Sequence, residues 1–375
     1  LSGIYLHIPF CKQACNYCDF HFSTTLNTKQ ALIKAIGSEL ISRKEYLSDP
    51  IETIYFGGGT PSLLDQNEIE FLLSTINSNF RVNASAEITL EANPDDLSLN
   101  KLQELKDSGI NRLSIGIQSF RAEDLTLMNR AHNSQEALAC VSDAQSVGFE
   151  NITIDLIYGI PNLSDSAWES NLDKAIALNV PHISAYCLTI EEKTVFHKWQ
   201  LDKTLSLPAD EDSLGQFKLM QNHLRNAGYD QYEISNFGRP GKYAVHNANY
   251  WKQKNYLGVG PSAHSFNGTT RSWNVRNNPK YIKAINTGEN YCEQEILSVV
   301  DQYNEYVMTG LRTSFGISID RLRTYSCFNE ELFLSTLSNW MDQGLVTSED
   351  SIYKLSDSGK FISDSITSDL FVDKT

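Results

Sequence analysis

The sequence predicts an α/β chain: a partial (β/α)6 barrel of the TIM type, a C-terminal extension, and a small winged-helix-like helical domain. Three observations point there. Short apolar runs alternate with longer amphipathic stretches through the first half of the chain. A polar or glycine feature stands at the end of nearly every apolar run. Finally, 375 residues, 41% hydrophobic and 21% charged, supply core for two to three domains.

The apolar runs predict strands at Ile4–Ile8, Ile51–Phe56, Glu87–Glu91, Arg112–Ile117, Asn151–Ile157 and His182–Cys187. Between them, residues 28–46 carry Leu32, Ile36 and Leu40 at helical spacing, and 66–78, 97–108, 134–147 and 165–178 behave alike. Strand–helix alternation means βαβ units and a parallel sheet with right-handed crossovers. Six repeats fit either an open doubly wound sheet or an incomplete barrel. The strand ends favour the barrel. Cysteines follow the first strand, Gly57-Gly58-Gly59-Thr60-Pro61 follows the second, Glu91 closes the third, Gln118 closes the fourth, and Asp155 lies late in the fifth. A doubly wound sheet would gather function at one switch point, whereas a barrel rings one site with many strands.

The barrel is expected to occupy residues 1–204. From 205 to 299 a helix near 212–227 leads into a loop-rich stretch holding His246-Asn247-Ala248-Asn249-Tyr250-Trp251 and Gly258-Val259-Gly260-Pro261. Residues 300–375 read as the winged-helix-like unit. Phe333, Leu334, Leu337, Trp340 and Met341 mark one helix face, and a hairpin runs from Val346 to Leu355. That unit carries six basic against twelve acidic residues, and the whole chain is at −15. Such a balance argues against nucleic acid as a partner and against membrane docking through a general basic surface. No apolar run reaches the ~18–20 residues of a membrane span, so a soluble chain is expected. The sequence starts at Leu1, which suggests a trimmed natural start.

Seven cysteines is an odd count, and Cys11, Cys15 and Cys18 crowd into one short loop. The spacing is too tight for a disulfide framework and indicates reduced thiols in the cytoplasm, used for metal binding or catalysis. Three thiolates suit a soft metal. No fourth ligand completes a structural zinc site, whereas a cubane cluster on three cysteines leaves one iron open. Cys140, Cys187, Cys292 and Cys327 are expected to be buried bystanders.

Cys-x3-Cys-x2-Cys, with Tyr17 before the third cysteine and Tyr5-Leu6-His7-Ile8-Pro9-Phe10 before the first, resembles the radical S-adenosylmethionine (SAM) superfamily. Within it the chain is similar to the anaerobic coproporphyrinogen III oxidase-like family along essentially its whole length. The resemblance implies a [4Fe–4S] cluster on Cys11, Cys15 and Cys18, with SAM chelating the open iron. It assigns SAM binding to Tyr5, to Gly58, Gly59 and Thr60 of the glycine motif, and to Glu91, Gln118, Arg130 and Asp155. These residue types fit such a ligand, since carboxylates accept from an ammonium or ribose hydroxyls and arginine forks onto a carboxylate.

Two branches share this machinery. The decarboxylating branch converts coproporphyrinogen III to protoporphyrinogen IX in porphyrin biosynthesis. It carries a fourth cysteine two residues after the triplet, where this chain has Phe20, and a longer leader. The heme-chaperone branch carries His-Asn-x-x-Tyr-Trp, matched here by His246-Asn247-Ala248-Asn249-Tyr250-Trp251. Resemblance to it implies heme binding, with His246 as ligand and Tyr250 and Trp251 in support; His264, in Pro261-Ser262-Ala263-His264-Ser265-Phe266, is a second candidate read from the residues alone, equally open to a structural role. It also implies a heme donor such as bacterioferritin, client respiratory hemoproteins, an electron donor for the cluster, and peripheral membrane contact from the cytoplasm. The oxidase reading stays open as the enzymatic alternative.

Overall fold

The computed structural model describes residues 1–373. Strands β1 (Ser2–Ile8), β2 (Ile51–Gly58), β3 (Val82–Ala92), β4 (Arg112–Gln118), β5 (Asn151–Tyr158) and β6 (His182–Cys187) lie side by side in chain order, each parallel to the next. All six predicted strands form, and so do the five predicted crossover helices, Lys29–Ser42, Gln66–Asn79, Leu99–Asp107, Ser134–Ser146 and Asp165–Ala177. Their starts are written locally. Asp65 with Glu68, and Asn133 with Glu136, close reciprocal capping boxes, while Ser98 and Ser164 cap two more.

Strand alternation sorts the side chains. In β4, Leu113, Ile115 and Ile117 are fully buried under the helices. Ser114, Gly116 and Gln118 take the opposite parity and face the barrel interior, where they line a cavity. Burying these apolar faces on both sides gives one continuous core, which includes Ile4, Leu6, Phe56, Leu90, Ile154 and Ile183. The result is the expected partial barrel.

The stretch read as loop-rich holds more regular structure than its sequence suggested. The predicted helix near 212–227 is Asp210–Asn226. Strands β7 (Asp230–Gln231) and β8 (Asn236–Gly238) add antiparallel to β6. At the opposite edge β9 (Tyr256–Val259) pairs parallel with β1, and β10 (His264–Phe266), β11 (Thr270–Asn274) and β12 (Cys292–Ile296) continue antiparallel. All twelve belong to one sheet. Strands of two to five residues are too short to display an alternation, so their sequence looks like loop.

A buried carboxylate ties this added edge to the barrel. Glu39, fully buried on the helix Lys29–Ser42, accepts hydrogen bonds from Gly260 N (2.8 Å), Asn274 Nδ2 (2.9 Å), Arg43 Nη1 (3.2 Å) and the Tyr281 hydroxyl. Apart from Arg43 on the same helix, these partners come from the β9–β10 turn, from β11 and from the helix Asn278–Thr287.

The last unit has its own small core of Tyr303, Val307, Leu311, Leu322, Phe333 and Leu337. Helices Val299–Leu311, Ile319–Leu322 and Glu330–Asp342 precede the hairpin β14 (Val346–Glu349) and β15 (Ile352–Leu355), to which β13 (Ile317–Ser318) adds a third strand. This is the winged-helix-like arrangement read from the sequence. No helix among the described residues is long and apolar enough to cross a membrane. All seven cysteines are free; Cys140 is buried as expected, whereas Cys187, Cys292 and Cys327 are half-buried. The β11–β12 edge leaves Cys292 near solvent, which sequence periodicity could not show.

Candidate functional site

The triplet loop leaves β1 at the C-terminal edge of the sheet and is held by backbone and amide contacts from the other side of the barrel. Gln13 Nε2 donates to Asn129 O (2.8 Å), Asn129 Nδ2 donates back to Ala14 O (2.7 Å), and Asn16 Nδ2 donates to Leu127 O (2.8 Å). Lys12 pairs with Asp95 and Asp96. Half-buried Cys11, Cys15 and Cys18 thereby line one cavity of about 620 Å³. No three His, Cys, Asp or Glu side chains among the described residues close on a single metal ion. A cluster makes no such demand, because each of its irons takes its own thiolate. Burial pushes the Cys18 thiol up to about 11 and raises Cys11 as well. These thiols are therefore protonated until a bound cation displaces the protons.

The expected SAM residues converge on the same cavity, with one exception. Gly58, Gly59 and Thr60 line it beside the thiols. A side chain on Gly59 would lie 2.7 Å from Phe10 O and 3.0 Å from Cys11 Sγ, so only glycine lets β2 approach the cysteine loop this closely. Glu91, Gln118, Arg130 and Asp155 complete the wall. Gln118 turns its backbone to φ 68° at the end of β4, which re-aims its side chain. Arg130 donates to Asn93 Oδ1 (2.6 Å), Gly116 O (2.7 Å) and Cys15 Sγ (3.3 Å), while its buried Nε has no partner. Tyr5 packs beside Gly57 and Tyr55, behind Glu91, rather than on this wall. It lines a second cavity and bonds His7 Nδ1 (3.1 Å) through its hydroxyl.

Sequence reasoning passed over Asn93, Ser114 and Tyr186, which also line the first cavity. Parity would have found two of them: Asn93 follows Glu91 by two, and Ser114 precedes Gly116 by two. Cys187 also reaches this wall.

The cavity's electrostatics favour a cationic guest. Burial, and then the negative charge of Asp155, raise the Glu91 carboxyl to about 7, although Tyr55 OH (2.8 Å) and Gly58 N (3.1 Å) donate to it. Burial also raises Asp155 to about 6, against hydrogen bonds from Ser184 and Ser114. Among the described residues neither carboxylate closes an ion pair. A ligand carrying an ammonium or sulfonium would relieve both. The three thiols, the open Arg130 Nε and this carboxylate pair therefore fit a [4Fe–4S] cluster with SAM beside it.

His246 sits at the opposite end of the barrel. The helix Val245–Trp251 plugs the interior near the starts of the strands, and Glu87 of β3 accepts from Val245 N (3.2 Å) and His246 N (3.0 Å) at its first turn. The His246 ring is 2% exposed and stacks on Tyr55 at 4.9 Å. Nδ1 is hydrogen-bonded to Thr53 Oγ1 (2.7 Å) and Nε2 to the Tyr250 hydroxyl (2.9 Å). A Cβ on Gly3 would come within 3.2 Å of the ring, so β1 is cut back to admit it. Burial, with Arg112 nearby, lowers its pKa to about 3, so the imidazole is neutral. In this geometry both ring nitrogens of His246, the expected heme ligand, are engaged inside the fold. Tyr250 and Trp251 differ: they reach the wall of the second cavity. Replacing His246 by alanine should cost about 2–4 kcal/mol of stability, from two lost hydrogen bonds and a buried void. Urea denaturation with an unchanged slope would report it, and a loss below about 1 kcal/mol would contradict the plug role.

The Radical SAM superfamily model matches residues 5–175 of the chain. Heme chaperone HemW of Bacillus subtilis (strain 168) is 33% identical over 371 residues, spanning 98% of each chain. Heme chaperone HemW of Escherichia coli (strain K12) is 31% identical, spanning 97% of this chain and 96% of its own. The solved structure of the radical SAM enzyme coproporphyrinogen III oxidase (HemN) from Escherichia coli superposes with a TM-score of 0.86 at 24% identity, over 99% of this chain and 90% of that one. The last likeness concerns the fold.

Proposed function

The chain belongs to the HemW family of the radical SAM superfamily, and from that premise we propose that it is a heme chaperone that holds a [4Fe–4S] cluster and SAM and passes heme to client hemoproteins. The observation that carries the reading is the convergence of Cys11, Cys15 and Cys18 with Gly59, Glu91 and Asp155 on one cavity at the C-terminal strand ends. In this reading the three thiolates hold the cluster. When bound, the cluster supplies one-electron chemistry and an open iron for the amino and carboxylate groups of SAM. Gly58, Gly59 and Thr60 present backbone to the methionine end. Glu91 and Asp155 balance positive charge, and Gln118 and Arg130 orient polar groups. Residues 1–204 house this machinery, residues 205–299 carry the heme-handling surface, and residues 300–375 form a cap.

Heme then arrives from a donor of the bacterioferritin kind and leaves for respiratory hemoproteins, while a separate electron donor reduces the cluster. We place these events in the cytoplasm, with peripheral membrane contact through a local patch, since the net charge of −15 offers no general basic surface. Nucleic acid has no part in the reading.

The test uses protein reconstituted with iron and sulfide, supplied with reductant, SAM and either hemin or coproporphyrinogen III. Hemin binding and transfer to an apo-hemoprotein, without protoporphyrinogen formation, is the expected result. Sustained conversion of coproporphyrinogen would overturn it in favour of the oxidase. Alanine at any one of the three cysteines should remove the cluster absorbance.

A further inference from the structure

The second cavity, about 510 Å³, opens between the β9–β11 edge and the loop that follows the cysteines. Its volume falls within the ordinary range of small-molecule sites, roughly 300–1,000 Å³. Three histidines line it, and their hydrogen bonds separate them. His7 uses both ring nitrogens, on the Tyr5 hydroxyl (3.1 Å) and on His21 O (3.0 Å). His21 is held at Nε2 by Asn278 Oδ1 (2.7 Å) and lies against the His7 ring. His264 is exposed, and no side chain among the described residues hydrogen-bonds its ring, whose neighbour is Trp273 at 6.3 Å. Partial desolvation of the ring against the cavity wall, with the nearby Arg271, holds its pKa down, leaving the neutral imidazole that binds iron.

The rest of the cavity suits a flat apolar ring with acidic arms. Phe20, Tyr250, Trp251, Tyr256 and Phe266 present aromatic surface. Phe20 is 66% exposed, an uncovered apolar side chain. Two guanidinium groups stand on the wall. Arg276 rests on the carbonyl of Asp19, with no carboxylate partner among the described residues, and Arg271 bonds Glu305 at 2.8 Å. Asp19 is the other acidic group on the wall. Arginine is well matched to a carboxylate, and an aromatic-lined slot to a macrocycle.

We propose that heme docks in this second cavity with His264 as the axial ligand of its iron and with Arg276, assisted by Arg271, holding the propionates. The proposal rests on the heme-chaperone reading and supplies a binding site for it. His246 contributes from behind: through Nε2 it positions the Tyr250 hydroxyl, and Tyr250 forms part of the wall. The two cavities adjoin at the loop after the cysteines. Asp19 and Phe20, directly after Cys18, line both cavities.

The test is a hemin titration of the full chain, with and without cluster, read by Soret absorbance and by the spin state of the iron. His264→Ala should weaken hemin binding at least about tenfold and change the iron's coordination, with the cluster spectrum and melting transition unchanged. Free imidazole added to His264→Ala should restore the wild-type Soret position, which a merely structural role would not allow. Arg276→Ala should weaken binding about fivefold without moving the band. A His264→Ala protein with wild-type affinity and spectrum overturns the proposal while leaving the chaperone reading intact. A wild-type protein that binds no hemin sinks the chaperone reading itself.

Discussion

Glu91→Gln is expected to weaken SAM binding by about a hundredfold while leaving the cluster in place. The carboxylate takes hydrogen bonds from Tyr55 and Gly58 and lies on the wall that also bears the cysteines. An amide there retains the shape and removes the charge that a ligand cation needs. The pH dependence has a definite sign. Burial raises the Glu91 carboxyl from 4.5 to about 7, with Asp155 up to about 6. Between 4.5 and about 7 the folded protein without SAM therefore binds more protons here than the unfolded chain does. Its stability contribution from Glu91 is full below 4.5 and is lost as pH rises through about 7. SAM works in the other direction, because a cation favours the ionised carboxylates. Its affinity should rise as pH goes from about 6 to about 7, with proton release on binding. Calorimetry in two buffers of different ionisation enthalpy measures that release; proton uptake, or wild-type affinity in Glu91→Gln, would count against the assignment.

Glu39→Ala is expected to cost about 3–5 kcal/mol of global stability, the usual range for breaking a buried pair from one side. The methyl group leaves the buried Asn274, Tyr281 and Gly260 amide, and the half-buried Arg43, without their shared acceptor. Glu39→Gln should cost less, since one oxygen still accepts. The β9–β10 turn held by Glu39 leads directly into His264, so hemin affinity should fall with stability in the alanine variant. Urea denaturation and hemin titration on the same samples check both. A stable Glu39→Ala protein with normal hemin binding would show that the added sheet edge is held by other contacts.

The barrel and its first cavity were legible in the sequence because their information is local. Short apolar runs bounded by helical stretches marked β1 to β6, and the strand ends named Cys11, Gly59, Glu91, Gln118 and Asp155 without reference to packing. A parallel barrel brings all strand C-termini to one rim, so residues dispersed over more than a hundred positions become neighbours by topology alone. Arg130 belongs with them because Asn129 and Leu127 stitch the cysteine loop to its segment. Tyr5 stands between the two cavities, against Gly57 on one side and on the second wall on the other, because strand parity sets only the face a residue points to, while its depth along that face decides what it lines.

The histidine-lined side depends on contacts the chain does not advertise. His246 and His264 look alike as letters beside aromatics and glycines. One is sealed against Thr53, Tyr250 and Tyr55; the other stands open on a short strand. Sequence alone determined the class of this protein, its three clustered cysteines and the rim that surrounds them, because periodicity and spacing are properties of neighbouring residues. Tertiary structure decided which histidine keeps its nitrogens free, because hydrogen-bond saturation and burial depend on side chains brought together from distant parts of the chain.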